Sequence, residues 1–154
     1  IHPETYKPVQ GIYAAGDVIG APALASTSME QGRFAMIQAF NLEPYKKHVA
    51  PILPVGIYTI PECALAGLSE KDCKNKKIDY VVGIASYNQN ARGMINGDSD
   101  GFVKLIFKFN KDLKKTMKLL GVHIIGEIAS ELIHLGVSAL IIGAKSNLFI
   151  DTCF

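Results

Sequence analysis

Residues 102–109 read Phe-Val-Lys-Leu-Ile-Phe-Lys-Phe, and this stretch decides the fold class. Its side chains alternate between two faces, as the two-residue period of a β-strand requires. Phe102, Lys104, Ile106 and Lys108 share one face, while Val103, Leu105, Phe107 and Phe109 share the other. A polar turn over 110–115 then leads into a second apolar run, 117–125. The pattern predicts an antiparallel hairpin.

A helix is predicted after the hairpin, over 126–143, with one face formed by Ile128, Leu132, Leu135 and Ala139. Strands followed by a helix favour an α+β fold in which an antiparallel sheet carries helices on one face. The helix is apolar almost all round, so it requires partners on two sides. We expect a subunit interface; a helix enclosed within its own domain is the alternative. The 13-residue apolar stretch Leu132–Ala144 is too short to span a bilayer, which takes about 20 residues.

The chain before the hairpin predicts two further strands, over 63–68 and 80–87. Ser69 between them is typical of a helix N-cap, since acidic residues follow in the first turn. Three prolines over 44–54 indicate a linker, and we place a domain boundary there. The domains are expected to be 1–46 and 47–154.

The first domain is predicted to contain a strand, a turn and a helix. Residues 11–17 form an apolar run that ends in Gly16-Asp17, and helical spacing follows from Ala25 to Phe40. A strand in an α/β fold delivers such a carboxylate to its C-terminal end, where ligands bind. The free N–H groups at the helix start are suited to a partly anionic group. Spacing alone does not name the ligand, and an ordinary turn is the alternative.

Composition excludes several classes of protein. The 154 residues are 49% hydrophobic and 19% charged, with a formal net charge of +2, as in ordinary globular domains. That charge argues against nucleic-acid and anionic-membrane partners, and the lysines over 104–118 are expected on a solvated sheet edge. Histidines and cysteines lack metal-ligand spacing, so we expect no metal. Three isolated cysteines, Cys63, Cys73 and Cys153, indicate reduced thiols in a cytoplasmic protein.

The Tyr-Ala-x-Gly-Asp sequence at 13–17, followed by a Leu-Ala helix start at 24–25, resembles a flavin-binding motif. It is similar to the second FAD motif of the pyridine nucleotide–disulfide oxidoreductase family. The resemblance implies that Asp17 binds the ribityl hydroxyls of FAD. It also implies that Leu24 and Ala25 bring the helix start to the flavin ring. Gly16 permits the turn without a Cβ atom where the cofactor passes.

Residues 56–62, 67–70, 90–92, 120–126 and 129–134 resemble successive parts of the same family's dimerisation domain. The resemblance implies a homodimer built by residues beyond Pro54. Within the family, 55–62 and 126–136 are similar to soluble transhydrogenases, which exchange a hydride between NAD(H) and NADP(H). Dihydrolipoamide dehydrogenases and mercuric reductases are the alternatives.

The chain also departs from the family pattern. It contains no Gly-x-Gly-x-x-Gly phosphate loop. We therefore expect the C-terminal portion of an enzyme, inactive alone and without bound FAD; a non-catalytic dimerisation module is the alternative. In disulfide-reducing members of the family, a later segment carries the catalytic histidine that reaches across the dimer, so no catalytic residue is assigned. His123 and His134 are expected to be a strand position and a helix-surface or interface position.

Overall fold

The computed structural model describes residues 9–20, 23–43, 49–112 and 116–153. The chain divides into two compact units, Ile1–Pro51 and Ile52–Phe154. The expected boundary between 46 and 47 lies outside the described residues, and the units divide a few residues after it.

The first unit contains a 3-10 turn at Asp17–Ile19 and helix α1 at Ala25–Ala39. The predicted helix over 25–40 is confirmed, with Phe40 as its C-cap. The predicted buried strand over 11–17 is wrong, because residues 12–15 have no regular structure and Ile12 and Tyr13 are exposed. A strand needs a neighbour to pair its backbone groups. The described part of this unit contains no second strand that supplies one.

The second unit is an α+β fold around one antiparallel sheet, as predicted. Its strands, in the spatial order β1-β2-β5-β4-β3, are β1 (Val55–Ile57), β2 (Cys63–Gly67), β3 (Tyr80–Ser86), β4 (Phe102–Lys108) and β5 (Leu119–Ile125). The helices are α2 (Glu70–Asn75), α3 (Ala91–Asn96), α4 (Ala129–Ile141) and α5 (Ser146–Asp151). The four strands predicted here are confirmed to within two residues. The sequence reading missed β1, α3 and α5, which span only three to six residues each.

The main core lies between α4 and one face of the sheet. Val122 of β5 pairs with Leu105 of β4 and with Ala66 of β2, so the three side chains share this face. Small residues of α4, including Gly136, bring the helix close: a Cβ at Gly136 would lie 2.9 Å from the Val122 side chain. The core therefore joins strands that are distant in the sequence.

The buried face of α4 differs from the predicted one. Ile128, Leu132 and Leu135 are exposed, whereas Ala139 is buried. The core face instead consists of Ala129, Ile133, Gly136, Ala139 and Leu140. Small residues on this face allow close approach to the sheet, and the larger Ile133 and Leu140 fill the remaining space. The larger side chains of Ile128, Leu132 and Leu135 consequently face away from the sheet.

The opposite face of the sheet is covered in part by α2, so the prediction of helices on one face does not hold for this helix. Ser69 and Asp72 form a capping box at the start of this helix, which confirms the predicted N-cap. Glu70 of α2 accepts hydrogen bonds from Lys104 Nζ at 3.0 Å and from the Tyr80 hydroxyl at 3.1 Å. Lys104 is paired in register with His123 of β5. These contacts tie α2 to strands β3 and β4.

Candidate functional site

The Gly16–Asp17 turn is held by its backbone and by helix α1. Gly16 is buried and has φ +82°, a conformation that favours glycine. Its N–H donates to Gln31 Oε1 of α1 at 2.8 Å. The N–H of Ile19 donates to the Gly16 carbonyl at 3.0 Å, which closes the 3-10 turn. The backbone that presents Asp17 is therefore fixed on both sides.

The Asp17 side chain is exposed and oriented by one hydrogen bond. Ser28 Oγ of α1 donates to Asp17 Oδ1 at 3.1 Å. Among the described residues, nothing donates to the second oxygen, Oδ2. A carboxylate has about four acceptor sites, so most of its capacity remains for a hydroxyl-bearing ligand.

The N-terminus of α1 carries no side-chain cap. Leu24 is the N-cap in an extended conformation, and it makes no side-chain hydrogen bond to the first turn. The first turn also contains no acidic residue. The amide groups at this end and the positive end of the helix dipole are suited to a partly anionic group.

The structure places the four predicted site residues on two neighbouring segments of the first unit. Gly16 and Asp17 contact the second turn of α1, and Leu24 and Ala25 form its start. The sequence reading missed Ser28 and Gln31. Their spacing of three places both side chains on the same side of a helix, but nothing in the sequence indicates that this side faces the Gly16–Asp17 turn. An acceptor carboxylate, unblocked amides and a glycine without Cβ fit the end of FAD that the sequence resemblance implies.

In the second unit, the exposed side of α4 is the main candidate for an interface. Leu132, Leu135 and Ile142 lie on it at helical spacing, and Ile128 precedes them as the N-cap. Ile128 is 54% exposed, Leu132 39%, Leu135 57% and Ile142 74%. A contiguous apolar stripe of this kind is typical of a protein–protein contact. The exposure agrees with the expectation that α4 requires a second partner.

The start of α4 is anchored from the β1–β2 loop. The Glu62 carboxylate accepts from Ser130 Oγ at 2.6 Å and from Ser130 N at 2.9 Å. These bonds, first from the side chain and then from the backbone, lower the pKa of Glu62. Negative charge at a helix start also offsets the helix dipole. The loop and the helix are thereby held together.

A cavity of about 420 Å³ adjoins the exposed stripe. Ile128 and Leu132 line it on the α4 side, and Val103 lines it from the sheet. Arg92, Asp98 and Glu127 bring both signs of charge to its rim. Because two residues belong to both features, the cavity and the stripe form one continuous surface.

The two histidines discussed above, His123 and His134, lie on a strand and on a helix surface as the sequence predicts. His123 is a half-buried residue of β5, and His134 is exposed on α4. Cys63, Cys73 and Cys153 are free thiols, of which Cys73 is fully buried. Within the described ranges, no group of three or more His, Cys, Asp or Glu side chains is arranged to hold a metal ion. Over the same residues, no helix combines the length and apolar character needed to cross a membrane.

Residues 53–154 match the family model described as pyridine nucleotide-disulphide oxidoreductase, dimerisation domain. A soluble pyridine nucleotide transhydrogenase from Mycobacterium bovis (strain BCG / Pasteur 1173P2) is 44% identical over 146 residues. That alignment covers 95% of this chain and 30% of the relative. A second, from Marinomonas sp. (strain MWYL1), is 37% identical over 98% of this chain and 32% of its own length. The chain thus spans about a third of the length of these relatives.

Two solved structures share the fold. The crystal structure of LpdA from Mycobacterium tuberculosis matches with a TM-score of 0.66 and 28% identity, over 84% of this chain and 27% of that one. The flavoprotein disulfide reductase RclA from Escherichia coli matches with a TM-score of 0.74 and 20% identity. This match covers 93% of this chain and 32% of the RclA chain. The second likeness concerns the fold alone. Because the family model covers most of the chain, this protein belongs to the pyridine nucleotide–disulfide oxidoreductase family through its dimerisation domain.

Proposed function

We propose that this chain contributes the subunit interface and one end of the flavin site to an FAD-dependent oxidoreductase. The whole enzyme exchanges a hydride between NAD(H) and NADP(H), and bound FAD supplies the redox chemistry. The 44% identity to a soluble transhydrogenase over 95% of the chain supports this reaction in preference to the alternatives. The reaction belongs to the whole enzyme, of which this chain corresponds to about a third.

In this proposal, Asp17 accepts a hydrogen bond from a ribityl hydroxyl of FAD through its unoccupied carboxylate oxygen. Gly16 keeps the approach free of a side chain. Leu24 and Ala25 present the uncapped start of α1 to the pyrimidine edge of the flavin. Backbone N–H groups there stabilise negative charge on the ring. The observation that carries this assignment is the fixed Gly16–Asp17 turn against α1, with one carboxylate oxygen left open.

The second unit forms a homodimer in this proposal, through residues beyond Pro54. The exposed stripe of α4, composed of Ile128, Leu132, Leu135 and Ile142, supplies its apolar centre. A two-fold dimer buries the same patch on both subunits, so a single stripe is sufficient. We assign no catalytic residue to the chain, and we expect the isolated chain to be inactive because FAD affinity requires many contacts made together. We place the enzyme in the cytoplasm, without nucleic-acid, membrane or metal partners.

A hybrid enzyme tests the proposal. The 146 matched residues of the Mycobacterium bovis relative are replaced by the corresponding residues of this chain. We expect a yellow protein with one FAD per subunit that transfers hydride between NADPH and an NAD⁺ analogue. A folded, dimeric hybrid without flavin would contradict the FAD assignment and favour a non-catalytic dimerisation module. The unmodified relative is the control.

A further inference from the structure

We propose that Ser28 is a positioning residue for the flavin-binding carboxylate of Asp17. The inference rests on the proposed function, since it concerns the group through which Asp17 is proposed to hold FAD. Asp17 is exposed, and its carboxylate would otherwise rotate freely in solvent. The 3.1 Å bond from Ser28 Oγ to Asp17 Oδ1 links the turn to a helix residue 11 positions later. It selects one orientation of the carboxylate.

The space around Ser28 shows a close fit to the turn. A Cβ atom added to Gly16 would lie 3.3 Å from Ser28 Oγ and 3.4 Å from Ser28 Cβ. Gln31, one helical turn further along, accepts from Gly16 N at 2.8 Å. Two residues on one side of α1 therefore fix the two residues of the turn, one through its backbone and one through its carboxylate. Gln31 fixes the backbone, and Ser28 sets the side-chain direction.

The chemical consequence is an acceptor that is oriented before the ligand arrives. With Oδ1 bonded to Ser28, Oδ2 is the oxygen left for a hydroxyl group of the ligand. A side chain already held in one orientation loses less conformational entropy on binding. The hydroxyl of Ser28 also donates to a charged acceptor, which is a stronger bond than one between neutral groups. Ser28 thus acts on FAD through Asp17, without contacting the cofactor itself.

The test measures FAD affinity in the hybrid enzyme described above, after removal and re-addition of FAD. We expect Ser28→Ala to raise the dissociation constant of FAD by about threefold to tenfold, the range of one ordinary hydrogen bond, because Ser28 acts on FAD only through Asp17. Ser28→Thr retains the hydroxyl and should restore most of the affinity. Gln38→Ala changes an exposed polar side chain near the other end of the same helix and should leave the affinity unchanged. The melting temperature of the flavin-free protein should be the same in all three variants.

A double-mutant cycle separates this inference from the proposed function. If Ser28 acts through Asp17, the loss caused by Ser28→Ala should disappear when Asp17 is already alanine. An unchanged affinity in Ser28→Ala, together with a large loss in Asp17→Ala, would overturn the inference and leave the proposed function standing. An unchanged affinity in Asp17→Ala would overturn the proposed function itself. A hybrid that binds no FAD would overturn both.

Discussion

Glu62 and Ser130 lie 68 residues apart in the sequence, and the Glu62 carboxylate accepts both the N–H and the hydroxyl of Ser130, at 2.9 and 2.6 Å. Glu62 belongs to the loop between β1 and β2, and Ser130 to the first turn of α4. Free N–H groups at a helix start require such acceptors. The same bonds join the edge of the sheet to the helix that carries the proposed dimer stripe.

Glu62→Gln should lower the melting temperature of the chain at neutral pH. The hydrogen bonds from Ser130 lower the pKa of Glu62 in the folded protein. A carboxyl group with a lowered folded pKa stabilises the fold above its unfolded pKa, and this stabilisation is lost as the pH falls through the folded pKa. The wild-type advantage over Glu62→Gln should therefore be present at neutral pH and vanish in acid. Thermal unfolding across that pH range measures it.

Glu127→Gln is the matched control, because Glu127 is an exposed carboxylate close in sequence to the start of α4. Its effect on the melting temperature should be small at neutral pH. If Glu62→Gln and Glu127→Gln behaved alike, Glu62 would not anchor the helix.

His123→Leu should stabilise the second unit. Both ring nitrogens of His123 are buried without a hydrogen-bond partner among the described residues, and Lys104 lies opposite in the adjacent strand. Burial, followed by the Lys104 charge, lowers the pKa of His123, while Glu70 and Asp72 oppose this shift. Leucine removes the unpaired polar atoms, so we expect a gain of about 1 kcal/mol in the free energy of unfolding. Urea unfolding near neutral pH measures it.

The pH dependence of the same variant gives a second readout. Since the folded pKa of His123 is lowered, the fold favours the neutral imidazole over the charged one. Stability is therefore highest above the ordinary pKa and is lost as the pH falls through the folded value. Wild-type stability should therefore drop below about pH 6.5, the ordinary histidine pKa, more steeply than that of His123→Leu. Equal slopes in the two proteins would show that His123 titrates normally.

Gly136→Ala should destabilise the packing of α4 on the sheet. The new Cβ would lie 2.9–3.0 Å from three atoms of the Val122 side chain, which is itself buried. Overpacking of this kind costs about 1–3 kcal/mol. Hydrogen exchange of the α4 amides should accelerate accordingly.

Gly32→Ala in α1 is the comparison for that variant. A Cβ at Gly32 meets nothing within 4 Å, so the substitution should only improve helix propensity, by up to about 1 kcal/mol. Exchange of the α1 amides should slow. A Gly136→Ala protein as stable as the wild type would show that the helix can shift away from Val122 without cost.

Alternation in Phe102–Phe109 and the Ser69 cap made β4 and α2 predictable, because both signals are local. The strand prediction over 11–17 was wrong because strand formation is not a local property. The apolar composition suits a strand, but the described part of the first unit contains no neighbouring strand to pair with it. The exposed side of α4 was also misassigned. Because α4 is almost wholly apolar, its hydrophobic periodicity does not indicate which face packs on the sheet. That face depends on the close approach of Gly136 to Val122.

The candidate flavin-binding residues also divide into those with a local sequence signal and those without one. Gly16 and Asp17 were recognisable as a motif, and the structure describes the turn that they form. Ser28 and Gln31 belong to no such motif. Their importance becomes visible only when the helix is folded back against the turn.

Sedimentation velocity tests the proposed subunit interface most directly, comparing the wild-type chain with Leu135→Glu and His134→Glu. Leu135 belongs to the exposed apolar stripe, whereas the adjacent His134 is exposed outside it. A charge buried at the centre of an interface without a partner is costly, so Leu135→Glu should raise the dimer dissociation constant at least about tenfold. The wild type and His134→Glu should sediment as dimers at the same concentration. A monomeric wild-type chain, or a dimer that Leu135→Glu leaves intact, would contradict the account.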